Sequence, residues 1–328
     1  GSIPFFIQNV NDTNGANCEF YKSGQGKEIC YRDNTGAELF EQYKFTGQGT
    51  FLADYNARTF VVADTRAPVW RRMLLDWADR AREYGANSVF YDQLGYGERA
   101  TNWDLSREFP VPNMHVIADK AEVLKMVRDR NVSFDPEFAL GTEWLTDVTA
   151  QYCDYIHIYQ TTAGKYSFID WFRYTFPEII ISDREIRDDT DIERRVNNTL
   201  LKGLRNDIEI YRCRDLIDKT PHYQAYLAQV NAIKSRYEDL LLVGTYRDTE
   251  GFTQSNPGIE ARAYVNGDGM AIVATRTQEG KAVKGAIEVP GYRFAEASTL
   301  GNAQVSSDGR EVTLGQYDLA VLVYKKTK

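Results

Sequence analysis

At 328 residues the chain exceeds the usual size of one domain, so two structural units are expected. Its net charge of −8 leaves no basic face for a polyanion, which argues against nucleic acid as a partner, and no apolar run reaches membrane-spanning length. An apolar share of 43% supports a sizeable core, and the 21 tyrosines and 5 tryptophans are a surplus that sugar-binding surfaces and ordinary cores both use. Cys18, Cys30, Cys153 and Cys213 form no close pair, which excludes a zinc ribbon or a CxxC redox motif. Cys153 and Cys213 read as buried thiols, and Cys18 with Cys30 as a weak candidate for a bridge across a loop. No signal-peptide pattern opens the chain. Gly1-Ser2 reads as an expression remnant, so the expected location is periplasmic or extracellular if a leader was removed and cytoplasmic otherwise.

Ile3 to Val10 reads as a strand that ends in a polar loop carrying Asn11 and Asp12. Residues 16–58 form a long polar insertion, and Phe60 to Ala63 a short apolar run. Asp64 or Thr65 is then placed to cap a helix whose first turn holds Pro68. Val69, Trp70, Met73, Leu74, Trp77, Ala78 and Ala81 share one face of it, so both tryptophans are expected in the core. Gly85 stands where a helix-terminating glycine belongs. A buried strand, Ser88 to Asp92, follows and runs into a loop with Gln93, Gly95 and Tyr96.

The same grammar recurs downstream. A helix from about Met114 to Asn131 precedes the strand Phe138 to Glu143. Thr146 or Asp147 caps a short helix before the strand Tyr155 to Tyr159, which leads into Gln160. An aromatic helix over 168–174 precedes the strand Glu178 to Asp183. Thr190 to Glu193 has the spacing of a capping box for a helix to about Asn206, and Ile208 to Cys213 reads as a strand ending at Arg212. Thr220-Pro221 opens a long helix to about Leu240. From residue 260 the pattern becomes two-residue alternation with turns at Asn266-Gly267, Pro290-Gly291 and Asp308-Gly309, which predicts an antiparallel β-sandwich.

Strand–helix alternation predicts an α/β fold with a parallel sheet. A (β/α)8 TIM-type barrel over 1–247 followed by a β-sandwich over 248–328 fits best. An open doubly wound sheet is disfavoured because no glycine-rich phosphate turn follows the first strand. Six barrel strands are clear and Phe60 to Ala63 is a seventh of lower quality, so a missing N-terminal segment or another chain is expected to complete the closure.

The chemistry lies in two carboxylates. Asp92 and Glu143 each end an apolar strand, and the two strands are consecutive. Neighbouring strands run about 4.8 Å apart, which would bring the carboxyls to the ~5 Å separation of a retaining glycosidase. Asp92 would serve as nucleophile and Glu143 as acid/base. Tyr91, Gln93, Tyr96, Trp144, Tyr159, Gln160, Asp183, Arg212, Asn11 and Asp12 are candidate substrate contacts, because each lies beside an acid, in the loop after Asp92 or at a strand's carboxyl end. His157 reads as a core histidine. Three histidines without HxH or HExxH spacing give no metal site, no cofactor motif is present, and no strand end offers the lysine that an aldolase would need. The alternative to a hydrolase is a barrel, or a fragment of one, that binds glycans without cleaving them.

The stretches YGANSVFYDQLG (84–95), FALGTEWLTDV (138–148) and CDYIHIY (153–159) resemble bacterial glycoside-hydrolase-like proteins with a (β/α)8 domain, distantly similar to α-galactosidases and endo-α-N-acetylgalactosaminidases. The resemblance covers residues 3–246. It implies that Asp92 matches the fourth-strand nucleophile and Glu143 a fifth-strand glutamate. It also implies that Ile3 to Val10 is the third strand, with two more upstream.

Overall fold

A computed structural model describes residues 2–3, 6–9, 23–42, 59–92, 94–95, 101–106, 116–144, 146–158, 168–183, 186, 188–207, 217–276 and 278–327. The chain divides into two compact units, Gly1–Ile158 and Tyr159–Lys328.

In the first unit, four parallel strands lie side by side. They are β1 (Ser2–Ile3), β5 (Ser88–Tyr91), β6 (Ala139–Glu143) and β7 (Tyr155–Ile158), adjacent in that order. A separate antiparallel sheet joins β2 (Phe6–Asn9), β4 (Thr59–Val62) and β3 (Phe40–Gln42), with β4 central. Two expectations are thereby corrected. The single strand Ile3 to Val10 is two strands in different sheets, and the run at 60–63 pairs antiparallel rather than joining the parallel sheet.

The helix before β5, α2 (Pro68–Glu83), follows α1 (Gln25–Glu28) and buries Trp70, Leu74 and Ala78. Trp77 does not share that burial. It is 45% exposed with the Arg80 guanidinium 5.2 Å from its ring, because its position falls at the edge of the buried stripe. Nor does Asp64 or Thr65 cap this helix. Ala67 is the N-cap, and the buried Asp64 carboxylate instead accepts from the Arg66 amide and guanidinium and from Asn102 Nδ2. The helix ends as its sequence dictates. Gly85 takes φ +81°, its amide reaches the Arg82 carbonyl, and the Ala86 amide reaches the Ala81 carbonyl. These two bonds define a Schellman motif, which satisfies the last carbonyls and turns the chain into β5. Helix α3 (Val116–Val132) leads into β6 and α4 (Asp147–Ala150) into β7, the latter capped by the Thr146 hydroxyl.

In the second unit, α5 (Phe168–Thr175) precedes β8 (Ile180–Asp183), and α6 (Ile192–Leu201) precedes β9 (Arg205–Asn206), which runs parallel to β8. Helix α6 stops earlier than the sequence suggests, in a second Schellman turn at Gly203 (φ +69°). The capping box is not formed. Asp191 is the N-cap in a left-handed conformation, and the Thr190 hydroxyl donates to Asp188, whose carboxylate also holds Arg195. The strand expected over 208–213 lies outside the described residues.

Helices α7 (Pro221–Arg236) and α8 (Glu238–Leu241) follow, then the β-domain. A five-stranded antiparallel sheet orders β10 (Thr245–Tyr246), β12 (Glu260–Asn266), β13 (Gly269–Thr275), β18 (Leu319–Lys326) and β15 (Tyr292–Leu300). A four-stranded sheet orders β11 (Thr253–Gln254), β14 (Val283–Glu288), β17 (Glu311–Leu314) and β16 (Gln304–Val305).

Alternation along β13 and β18 sends Ile272, Ala274, Ala320 and Leu322 into a core shared with Ile287, Val312 and Leu314 of the smaller sheet. The opposite face, with Ala271, Val273, Val321 and Val323, packs with Val196, Leu200, Leu227, Val230 and Leu241 of the helices. The larger sheet is therefore buried on both sides. Cys30 and Cys153 are free and buried, the Cys30 thiol donating to the Leu39 carbonyl, so no bridge involves Cys30. No helix among the described residues is long and apolar enough to cross a membrane.

Candidate functional site

Register sets the geometry of the acid pair. In the β5–β6 ladder Ser88 lies opposite Ala139 and Tyr91 opposite Thr142, so the residues that follow are Asp92, in the turn just past β5, and Glu143, the last residue of β6. In the β6–β7 ladder Glu143 lies opposite His157. Strands alternate faces and paired residues share one. The Tyr91 hydroxyl donates to the Leu74 carbonyl of α2 at 2.7 Å, which marks one face as the helix side. Phe90, Gly141, Tyr155, Glu143 and His157 take the opposite side, and Asp92 follows in a turn just past the end of β5.

That side has an aromatic floor. The Tyr155 ring lies across β6 at Gly141, where any Cβ would collide with it, and its hydroxyl meets the Ser88 hydroxyl at 2.9 Å. Phe90 stacks on Tyr155 with centroids 6.1 Å apart and meets the His157 ring edge-on at 5.5 Å. Sequence reading placed His157 in the core. It is indeed buried, but on the same face as Glu143 and level with it. Counting residues by twos back from the strand end would have shown this.

Two further residues were not anticipated. The Thr142 hydroxyl donates to the Tyr91 carbonyl and accepts the Gly95 amide, both at 2.8 Å. This ties the residues after β5 to the end of β6. Gly95 lies so close that a Cβ there would sit 2.5 Å from the Glu143 carbonyl oxygen and 2.6 Å from that of Trp144. Trp144 itself has φ +71°, a left-handed conformation that bulky residues avoid, while its amide donates to the His157 carbonyl at 2.9 Å. Strain of this kind collects at functional sites.

The named candidates separate clearly. Asp92 is half-buried and Glu143 buried, 4% exposed. Trp144 follows Glu143 and is half-buried. Tyr91 is not a substrate contact. It is 1% exposed, its hydroxyl is bound to α2, and burial pushes its phenol well above the ordinary range. Asp183 is likewise 1% exposed and accepts from the Thr199 hydroxyl of α6, so it anchors a helix to a strand rather than facing solvent. Asn11, Asp12, Gln93, Tyr96, Tyr159, Gln160 and Arg212 lie outside the described residues. Among the described residues no group of three or more His, Cys, Asp or Glu side chains could hold a metal ion.

No protein-family model matches the sequence. No curated protein matches it either. Solved structures do match. An Anoxybacillus α-amylase aligns with a TM-score of 0.58 at 10% identity, over 100% of this chain and 75% of that chain. A maltogenic α-amylase from Thermotoga neapolitana gives 0.58 at 11%, over 99% and 77%. The Bacillus licheniformis trehalose-6-phosphate hydrolase gives 0.58 at 10%, over 99% and 83%. At this identity the likeness is one of fold. The chain is built like the TIM-barrel glycosidases that carry a β-domain at the C-terminus.

Proposed function

We propose that the chain is a retaining glycoside hydrolase of O-glycosidic bonds, with Asp92 as nucleophile and Glu143 as acid/base. The observation that supports this is the register. Tyr91 lies opposite Thr142, so two carboxylates follow at the carboxyl ends of adjacent parallel strands, Glu143 as the last residue of β6 and Asp92 in the turn just past β5. In the proposed first step Asp92 attacks the anomeric carbon and forms a glycosyl ester as the carbon–oxygen bond to the leaving group breaks. Glu143 gives its proton to that oxygen. In the second step Glu143 takes a proton from water, which displaces Asp92.

The aromatic floor of Phe90 and Tyr155 offers an apolar surface for the sugar ring. In this proposal residues 1–247 form the barrel, residues 248–328 the β-sandwich, and a further segment or another chain completes the closure. The substrate is a glycan. The sequence resemblance points to galactosyl and N-acetylgalactosaminyl bonds and the fold neighbours to the sugars of α-amylases, so both belong in the assay.

One observation favours a second reading. Glu143 is only 4% exposed, and a carboxyl so enclosed has little access to a glycosidic oxygen, which favours a barrel that holds glycans without cleaving them. An aryl α- and β-glycoside panel on the wild type and Asp92→Asn separates the two. Turnover that is abolished by the substitution supports the hydrolase. Glycan binding without turnover in the wild type supports the second reading.

A further inference from the structure

The second unit contains a cavity that the acid pair does not use. Its volume is 540 Å³, and its lining includes Arg247, Glu250, Val265, Met270, Pro290 and Tyr292. That volume suits a small ligand of two or three rings. The walls are mixed. Val265, Met270, Pro290 and the Tyr292 ring give apolar surface, while Arg247 and Glu250 give directed polar groups. These two pair with each other at 2.8 Å, so the lining carries a cation and an anion that offset one another. A charged ligand would have to break that pair. A neutral one can hydrogen-bond to the donors and acceptors that the pair leaves over.

The rim extends beyond the cavity. The Tyr174 hydroxyl donates to Glu250 Oε2 at 3.2 Å, which joins α5 to the cavity edge. Tyr174 is 46% exposed and Trp171, one turn earlier on the same face, is 56% exposed. The other face of α5 is fully committed, with Ile169 and Phe172 buried. The Tyr174–Glu250 bond thus sets an exposed tyrosine, with a tryptophan one helical turn from it, next to a half-polar cavity. A pyranose has the complementary pattern, with C–H faces for the rings and equatorial hydroxyls for the polar atoms.

We propose that this surface is a second carbohydrate-binding site, taking a neutral oligosaccharide with one sugar in the cavity against Tyr292 and the chain extending over Tyr174 and Trp171. None of its residues takes part in the proposed hydrolysis, so it would hold a polymeric substrate without acting on it.

The test is isothermal titration of neutral malto-, cello- and galacto-oligosaccharides of three to six units into four proteins: wild type, Trp171→Ala, Tyr292→Ala and Asp92→Asn. Circular dichroism and melting of each variant confirm folding. Loss of one anchoring ring should weaken binding about tenfold in Trp171→Ala and Tyr292→Ala. Asp92→Asn should retain that binding, and aryl-glycoside turnover should be equal in wild type and Trp171→Ala. Binding that is indifferent to both aromatic substitutions, or no binding of any of the three series, overturns the proposal. If ring-sensitive binding is found in a protein without glycosidase turnover, the second site stands and the hydrolase reading falls.

Discussion

Thr142 holds Gly95 through a single hydroxyl that is also bonded to the Tyr91 carbonyl, each contact at 2.8 Å. Asp92 lies between the two residues so held. The arrangement fixes the start of the loop that carries the proposed nucleophile against the strand that carries its partner acid.

Replacing Thr142 with Val keeps the shape and removes both bonds. The Gly95 amide and the Tyr91 carbonyl would lose a buried partner, at a cost of about 1–3 kcal/mol. Urea denaturation should show that loss, and Thr142→Ser should recover most of it. If the clasp also positions Asp92, kcat should fall with Val and return with Ser, while KM changes less.

The acid pair predicts two distinct kinetic defects. Asp92→Asn should abolish the glycosyl ester, so no burst of aryl leaving group appears in pre-steady-state measurements. Glu143→Gln should lower turnover by about 10²–10⁴-fold on substrates with poor leaving groups. It should spare activated aryl glycosides in the first step, because those need no proton, and leave the ester to accumulate. Equal losses on both substrate types would argue against Glu143 as the acid.

Lys234 predicts a pH effect on stability. It is buried, its ammonium donates to Asn206 Oδ1 and the Leu204 carbonyl, and burial together with nearby Arg205 pushes it down to about 8. In the unfolded chain it titrates near 10.4. Below pH 8 both states carry the proton, and the folded state bears the full cost, on the order of 3 kcal/mol. Between pH 8 and about 10.4 the folded state releases its proton first, so this residue's penalty fades as pH rises. Lys234→Met should therefore be more stable than wild type at pH 7, and the gap should close by pH 10. A gap that does not vary with pH would show that the lysine titrates alike in the folded and unfolded states, so that burial does not lower it.

The thiols give a further check. Burial pushes both Cys30 and Cys153 up to about 12, so neither should react with an aromatic disulfide reagent at pH 8 in the folded protein. Both should react once the protein is unfolded in guanidinium.

Local rules made much of this fold readable. Gly85 announced its helix end because a left-handed residue is what a Schellman turn requires, and the apolar runs before Asp92 and Glu143 fall in β5 and β6. Rules of the same kind failed where a side chain had a better partner than the helix end. Asp64 was available as a cap, but Arg66 and Asn102 claim it. Thr190 was spaced for a capping box, but Asp188 is closer to its hydroxyl. The break within Ile3 to Val10 depends on pairing with β4, more than fifty residues away in sequence, which no local pattern encodes. At the site, Tyr91 was named because it precedes Asp92 and Asp183 because it ends a strand, but the Tyr91 hydroxyl is bound to the Leu74 carbonyl and the Asp183 carboxylate to the Thr199 hydroxyl, partners far along the chain.

The larger sheet of the β-domain has hydrocarbon against both of its surfaces, Ile272 and Leu322 toward the smaller sheet and Val273 and Val321 toward the helices. A chain cut between residues 247 and 248 would consequently release a slab with one greasy side open to water and leave α6 to α8 bare. The terminal strands are thus not a detachable appendage. They and the helices before them should melt in one step, and a truncation made to isolate either part should yield aggregate rather than a free module.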